Sequence, residues 1–278
     1  GQDPGVLTWE ELRRRGRDAA GGFARTLEQR LKETRADDLA SIVYTSGTTG
    51  SPKGVVQTHG NHMATMRALG QIWAVGEGDK DLLFLPLAHS FAQACAYFGV
   101  FSGVVTAFAE NLDKVGENLR ETSPTYIASV PRVFEKVYAR ILAGVEAGSH
   151  GKKKIFYWAL GVGRGVSQAE QAGRPIPLGL RLKHRIAHKL VFSKLHHALG
   201  GRLRFANSGG APLGKEIAQF FHAAGILILE GYGLTETCPA LAVNRVGDFK
   251  FGSVGKALPG VELKIAADGE ILAQGPNI

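Results

Sequence analysis

The chain has 278 residues, 44% of them apolar, a formal net charge of +8 and two cysteines. That length buries a substantial core as one large domain or two modest lobes, and the composition is that of an ordinary soluble protein. Cys95 and Cys238 fall in separate segments without metal-ligand spacing, which argues for a reducing, cytoplasmic setting and against a cysteine-held metal.

Thr8-Trp9-Glu10-Glu11 reads as a capping box that opens a short, Arg-rich helix. Gly21-Gly22 interrupts it, and a second helical piece is expected to run to about residue 33. Apolar, β-rich runs then recur at 42–45, 82–85, 104–108, 126–130, 203–206 and 226–229. Helical stretches lie between them at 61–74, 114–121, 132–146, 153–171, 178–199 and 213–223. Residues 82–109 contain no Asp, Glu, Lys or Arg, a length that raises a transmembrane helix. Pro86, His89, Gln93, Gly99 and Gly103 argue instead for a buried strand, a functional loop, a buried helix near 92–101 and a second strand.

Strands alternating with helices predict an α/β fold of largely parallel sheets flanked by helices, with a small β-rich lobe near the C-terminus. The expected organisation is a helical segment over 1–36, an α/β core over 37–250 and the start of a β-rich subdomain over 251–278. In such folds ligands sit beyond the carboxyl ends of strands. Four runs lead into polar motifs, at 44–54, 86–91, 207–212 and 230–237, so loops from separate strands could converge on one crevice.

The positive charge is uneven. Between Arg140 and Arg204 stand 13 Lys and Arg against only Glu146 and Glu170. An anionic partner such as phospholipid headgroups, and a solvated helical face, both account for it. Nucleic acid is set aside, because the basic residues lack aromatic interleaving or a recognised motif. His184 and His188 have helical metal-ligand spacing, but the surrounding lysines and arginines would repel a cation, so no zinc site is expected.

The segment Tyr44-Thr45-Ser46-Gly47-Thr48-Thr49-Gly50-Ser51-Pro52-Lys53-Gly54 is built to wrap a polyphosphate. Its glycines let consecutive N–H groups point at one anion, its hydroxyls add donors and metal contacts, and Lys53 adds a mobile positive charge. It is not a Walker loop, since the G-x-x-x-x-G-K-[ST] order is missing. Ser46 is no nucleophile elbow either, because Tyr44 stands two residues before it.

This loop resembles the signature of the adenylate-forming superfamily of acyl-CoA synthetases, peptide-synthetase adenylation domains and luciferases. Further matches follow in the family's order: Leu85-Pro86-Leu87-Ala88-His89-Ser90-Phe91, Ser208-Gly209-Gly210-Ala211-Pro212-Leu213, Glu230-Gly231-Tyr232-Gly233-Leu234-Thr235-Glu236-Thr237, Gly252-Ser253-Val254-Gly255 and Asp268-Gly269-Glu270-Ile271. Val130-Pro131-Arg132-Val133-Phe134-Glu135-Lys136 and the basic stretch after it look most like long-chain fatty acyl-CoA synthetases.

The resemblance implies ATP-dependent activation of a fatty acid to its adenylate, then thioester formation with CoA, using Mg²⁺. It implies that Thr45, Ser46, Gly47, Thr48, Thr49, Gly50 and Lys53 hold the phosphates, while Gly209, Gly210, Ala211 and Pro212 form part of the adenine pocket. Glu230, Gly231, Tyr232 and Gly233 complete the nucleotide site, with the Tyr232 ring facing adenine or, alternatively, packing in the core. Glu236 binds Mg²⁺, with Thr45 also reaching the metal, and Thr235 donates to the α-phosphate. From the residues alone, the alternative is that Thr235 and Glu236 open a helix, with the glutamate as dipole partner, but a carboxylate at a strand end in a glycine-rich loop favours the metal role. His89 is read either as a satisfied core histidine or, by resemblance, as a residue orienting the acyl carboxylate.

The resemblance also leaves a fatty acyl-AMP ligase, feeding an acyl carrier protein, as an alternative, and a non-catalytic nucleotide- or lipid-binding module as another. The basic region 140–204 is expected to meet a membrane surface peripherally. The family's downstream ribose-binding aspartate, hinge and small C-terminal domain with its lysine find no match here, so the chain is expected to be a core fragment that does not complete turnover.

Overall fold

The computed structural model describes residues 6–46 and 51–278. Helix α1, Trp9–Glu33, is continuous through Gly21 and Gly22, so the expected interruption is absent. Flanking helix formers and the exposed pairs Arg14–Asp18 and Lys32–Glu28 carry the helix across the glycines. The Thr8 hydroxyl accepts from the Glu11 N–H at 3.2 Å, but the Glu11 carboxylate turns to Arg14 and Arg15 instead of closing the box.

Strands β1 (Leu39–Thr45) and β2 (Lys53–Thr58) form an antiparallel hairpin. Sequence reasoning does not assign β2, although Val55-Val56 marks it. Helix α2 (His59–Ile72) starts at a true capping box between Thr58 and Asn61. Strands β3 (Lys80–Leu83) and β4 (Val105–Phe108) pair in parallel, with helix α3 (Ser90–Ser102) crossing between them. The uncharged 82–109 run is thus broken into short pieces, and no described helix is long and apolar enough to cross a membrane.

After helix α4 (Val115–Thr122) comes a five-stranded sheet in the order β5-β6-β7-β8-β9. Strands β5 (Tyr126–Ser129), β6 (Phe205–Ser208) and β7 (Leu227–Tyr232) are parallel, while β8 (Ala242–Val243) and β9 (Lys256–Ala257) are antiparallel. Between β5 and β6 lie helices α5 (Pro131–Glu146), α6 (His150–Gln171) and α7 (Leu178–Ala187), a π-helical turn (His188–Phe192) and α8 (Ser193–Ala198). Helix α9 (Lys215–Ala223) joins β6 to β7, and β10 (Glu262–Ile265) with β11 (Ile271–Gln274) makes a separate antiparallel hairpin. The α/β class holds, with mixed sheets that are parallel where helices cross between strands.

Alternation along the short strands sets the core. Ile127, Ala206 and Ile228 face Phe134, Phe156, Phe220 and Phe221 of α5, α6 and α9. Tyr126, Phe205 and Leu229 face the other way, with Val104. Asp81 of β3 is fully buried, and neither carboxylate oxygen has a hydrogen-bond partner among the described residues. Burial pushes its pKa up to about 7, and burial first, with the Asp81 charge second, raises the pKa values of Cys95 and Tyr126.

A carboxyl that is harder to ionise when folded favours the native state only while protonated, so stability is expected to fall as pH rises from about 4 to about 7. Asp81→Asn should flatten that fall and raise the melting temperature above about pH 7, with little effect on the acid side. A thermal-melting series across pH in which the variant keeps the wild-type slope would contradict this.

Candidate active site

The loops at the carboxyl ends of β3, β5 and β6 meet. The Phe91 ring lies against Gly209, where an added Cβ would stand 3.2 Å from it. Val130, just past β5, stands 3.9 Å from the position of a Cβ on Gly210, whose φ of +81° suits glycine. Gly210, Ala211 and Pro212 are exposed, making a low shelf without bulky side chains. Pro212 does not open the helix as its position suggests, because α9 begins at Lys215 with Gly214 as its cap. His89 caps α3 through its backbone only, and its side chain is exposed, so it is not a core histidine.

Glu230, near the end of β7, is turned inward. Its Oε1 accepts from the Leu213 N–H at 3.0 Å. Burial pushes its pKa upward. The side chain assigned to cofactor binding therefore braces the shelf from behind. Gly231 and the half-buried Tyr232 pair with Val243 and Ala242 of β8. Gly233 packs on the Pro239 carbonyl so tightly that a side chain has no room.

Thr235–Thr237 is a single 3₁₀ turn, which leaves no helix whose dipole Glu236 could serve. Thr235 is half-buried, Glu236 is exposed, and the Glu236 carboxylate has no partner among the described residues. Opposite, Thr45 and Lys53 are register partners where the β1–β2 hairpin opens, with Ser46 and Lys53 exposed. Gly47, Thr48, Thr49 and Gly50 lie outside the described residues.

A fully buried glutamine joins the two sides. Gln57 Nε2 donates to the Thr235 carbonyl at 2.6 Å, and its Oε1 accepts from the Ser41 hydroxyl at 3.0 Å. Ser41 Oγ also lies 3.1 Å from His62 Nε2, on a ring whose pKa burial pushes down. Asn277 holds the turn from behind, donating through Nδ2 to the carbonyls of Thr237 and Ala240 at 2.8 and 2.9 Å. Sequence reasoning missed both residues. The one available signal is that Gln57 sits two positions from Val55, at an inward site of a β-branched strand.

The donor set fits a magnesium–polyphosphate: one unpaired carboxylate, flanking hydroxyls and a mobile lysine. Among the described residues no three His, Cys, Asp or Glu gather into an all-protein metal cage. Mg²⁺ on a nucleotide takes most of its ligands from phosphates and water, so a single free carboxylate suffices.

Removing the Gln57 amide leaves the Thr235 carbonyl buried without its donor. Gln57→Leu is expected to cost about 1–3 kcal/mol in denaturant unfolding; an unchanged midpoint would deny the bond its role. Gly233→Ala should cost more, roughly 3 kcal/mol, because backbone rather than a side-chain tip blocks the new methyl.

The chain matches the AMP-binding enzyme family over residues 3–278. It is 42% identical over 251 residues to the long-chain-fatty-acid–CoA ligase FadD15 of Mycobacterium bovis, covering 90% of this chain and 41% of that protein. It is 36% identical to the putative fatty-acid–CoA ligase fadD11 of Mycobacterium tuberculosis, covering 99% and 48%. An Arabidopsis thaliana long-chain-fatty-acid–[acyl-carrier-protein] ligase, AEE15, is 29% identical, covering 94% and 39%. The chain thus spans about half, or less, of the length of these relatives. Among solved structures, o-succinylbenzoate CoA synthetase from Bacillus subtilis, in complex with ATP and magnesium, superposes with a TM-score of 0.61 at 23% identity, covering 88% of this chain and 43% of that one. By a family match over nearly its whole length, the chain belongs to the AMP-binding enzymes.

Proposed function

We propose that this chain is the nucleotide-binding, carboxylate-activating core of a fatty acyl-CoA synthetase. A fatty acid carboxylate oxygen attacks the α-phosphorus of ATP, and pyrophosphate departs with the electrons of the broken P–O bond. The CoA thiol, losing its proton, then attacks the acyl carbonyl, and AMP leaves. Both partners of the first step are anionic, so the site must supply positive charge and in-line alignment more than acid–base chemistry.

Lys53 and the hydroxyls of Thr45 and Ser46 would hold the phosphates, and the 209–212 shelf would take the flat adenine beside Tyr232. Glu236 and Thr45 would hold Mg²⁺, which supplies neutralisation of charge on the phosphates. Thr235 would donate to the α-phosphate, and the exposed His89 would orient the acyl carboxylate. What carries the reading is the unpaired Glu236 carboxylate on a turn tied by Gln57 to the hairpin of Thr45 and Lys53.

The decisive measurement is ATP–pyrophosphate exchange by the full-length protein over a fatty acid chain-length series. Glu236→Ala and Lys53→Ala should each lower exchange about a hundredfold; two variants with wild-type exchange would defeat the assignment. The resemblance to a ligase named for acyl carrier protein keeps a second acceptor in view. Consumption of free CoA by the full-length protein separates the two, and its absence would favour the carrier protein.

A further inference from the structure

Helix α2 carries a histidine into the interior. His62 is 7% exposed and packs edge-to-face on Tyr97 of α3, with 5.0 Å between ring centroids. Its Nε2 lies 3.1 Å from Ser41 Oγ. Ser41 and Gln57 are register partners across the β1–β2 hairpin, and the Gln57 amide passes the contact on to the Thr235 carbonyl. His62, Ser41, Gln57 and Thr235 thus form one file of polar groups, running from α2 to the turn that carries Glu236.

The protons along this file fix the state of the imidazole. The Thr235 carbonyl can only accept, so the Gln57 atom that meets it at 2.6 Å must be the amide nitrogen. The other end of that amide is then a carbonyl oxygen, and the Ser41 hydroxyl must donate its one proton there. With that proton spent, Ser41 Oγ can only accept from His62, so Nε2 must carry a hydrogen. Nδ1 agrees, because it is buried without a hydrogen-bond partner among the described residues, and a proton there would have no acceptor. Burial, and after it the neighbouring His59, hold the ring's pKa down, which leaves it neutral with a single N–H. The opposite tautomer would present a lone pair to Ser41. The hydroxyl would turn to meet it, the Gln57 carbonyl would lose its donor, and the amide that holds Thr235 would be free to rotate.

We propose, resting on the reading of Thr235 and Glu236 as nucleotide-facing, that His62 is a positioning residue for the adenylation step: its Nε2–H orients the Ser41 hydroxyl and, through Gln57, holds the Thr235–Glu236 turn in place. His62 stands three hydrogen bonds from Thr235, so its part is to orient and not to react. Packing against Tyr97 would be met as well by an apolar side chain of similar size, which has no proton to give.

The test uses the full-length protein. NMR of its isotopically labelled histidines should show His62, identified by the signals lost in His62→Gln, with a protonated Nε2 and a bare Nδ1 near neutral pH. The reverse tautomer overturns the inference whatever the activity. In ATP–pyrophosphate exchange, His62→Leu and Ser41→Ala should each lower the maximal rate about tenfold and raise the Mg²⁺ needed for half-maximal rate, with the KM for fatty acid unchanged. His62→Gln sets an amide N–H where Nε2 stood and should restore both quantities, while His62→Asn reaches only the place of Nδ1 and should not. A glutamine variant no better than the asparagine one overturns the proposal. So do variants that melt lower than the wild type without any change in Mg²⁺ requirement, the mark of a role in packing alone. Exchange by the wild type with unaffected variants overturns this inference and leaves the proposed function standing; a wild type without exchange brings down both.

Discussion

The hydrogen bond from Gln57 Nε2 to the Thr235 carbonyl joins residues 178 positions apart and fixes the relation of two loops that otherwise belong to different sheets. The β1–β2 hairpin has no strand partner in the five-stranded sheet, so side chains must locate it. Full burial makes this bond count: the amide is used at both ends, by Thr235 on one side and Ser41 on the other. Asn277 acts on the same turn from behind, so Thr235 and Glu236 are held by amides from two distant parts of the chain.

The same division of labour recurs at the shelf. Glu230 sits inside a motif of candidate binding residues, yet its carboxylate accepts the backbone N–H of Leu213. Gly210 to Pro212 stay exposed, with the Glu230 carboxylate turned away from solvent behind them. Where close approach is essential the chain uses glycine: Gly209 under Phe91 and Gly233 against Pro239. Glu236, by contrast, is exposed and has no partner among the described residues.

Charge follows a different rule on the helical side of the molecule. Some exposed cations elsewhere are neutralised locally, as on α1, where Arg14 and Arg15 share Glu11. Such exposed pairs add little to stability. From α7 to α8 no acid is present to pair, and Leu178, Leu182, Ile186 and Leu190 are exposed among the cations.

Much of this was legible in the residues. Periodicity placed the strand and helix cores, because burial on a sheet face or a helix stripe imposes periods of 2 and 3.6. Ordered motifs located the loops that carry Thr45, Lys53, His89, Gly209 and Glu236. Local signals failed where a competing local interaction won: Glu11 left its capping box for two arginines, and Gly21-Gly22 stayed helical between strong helix formers. The sequence by itself determined the fold class, the motif loops and the family, since these depend on residue type and spacing along the chain. Only the tertiary structure decided that β2 pairs with β1 in an antiparallel hairpin, that Glu230 points inward while Glu236 is exposed, and that Gln57 and Asn277 hold the turn between them. Those outcomes depend on which polar groups become buried together, and burial is a property of the packed molecule that no stretch of chain carries alone.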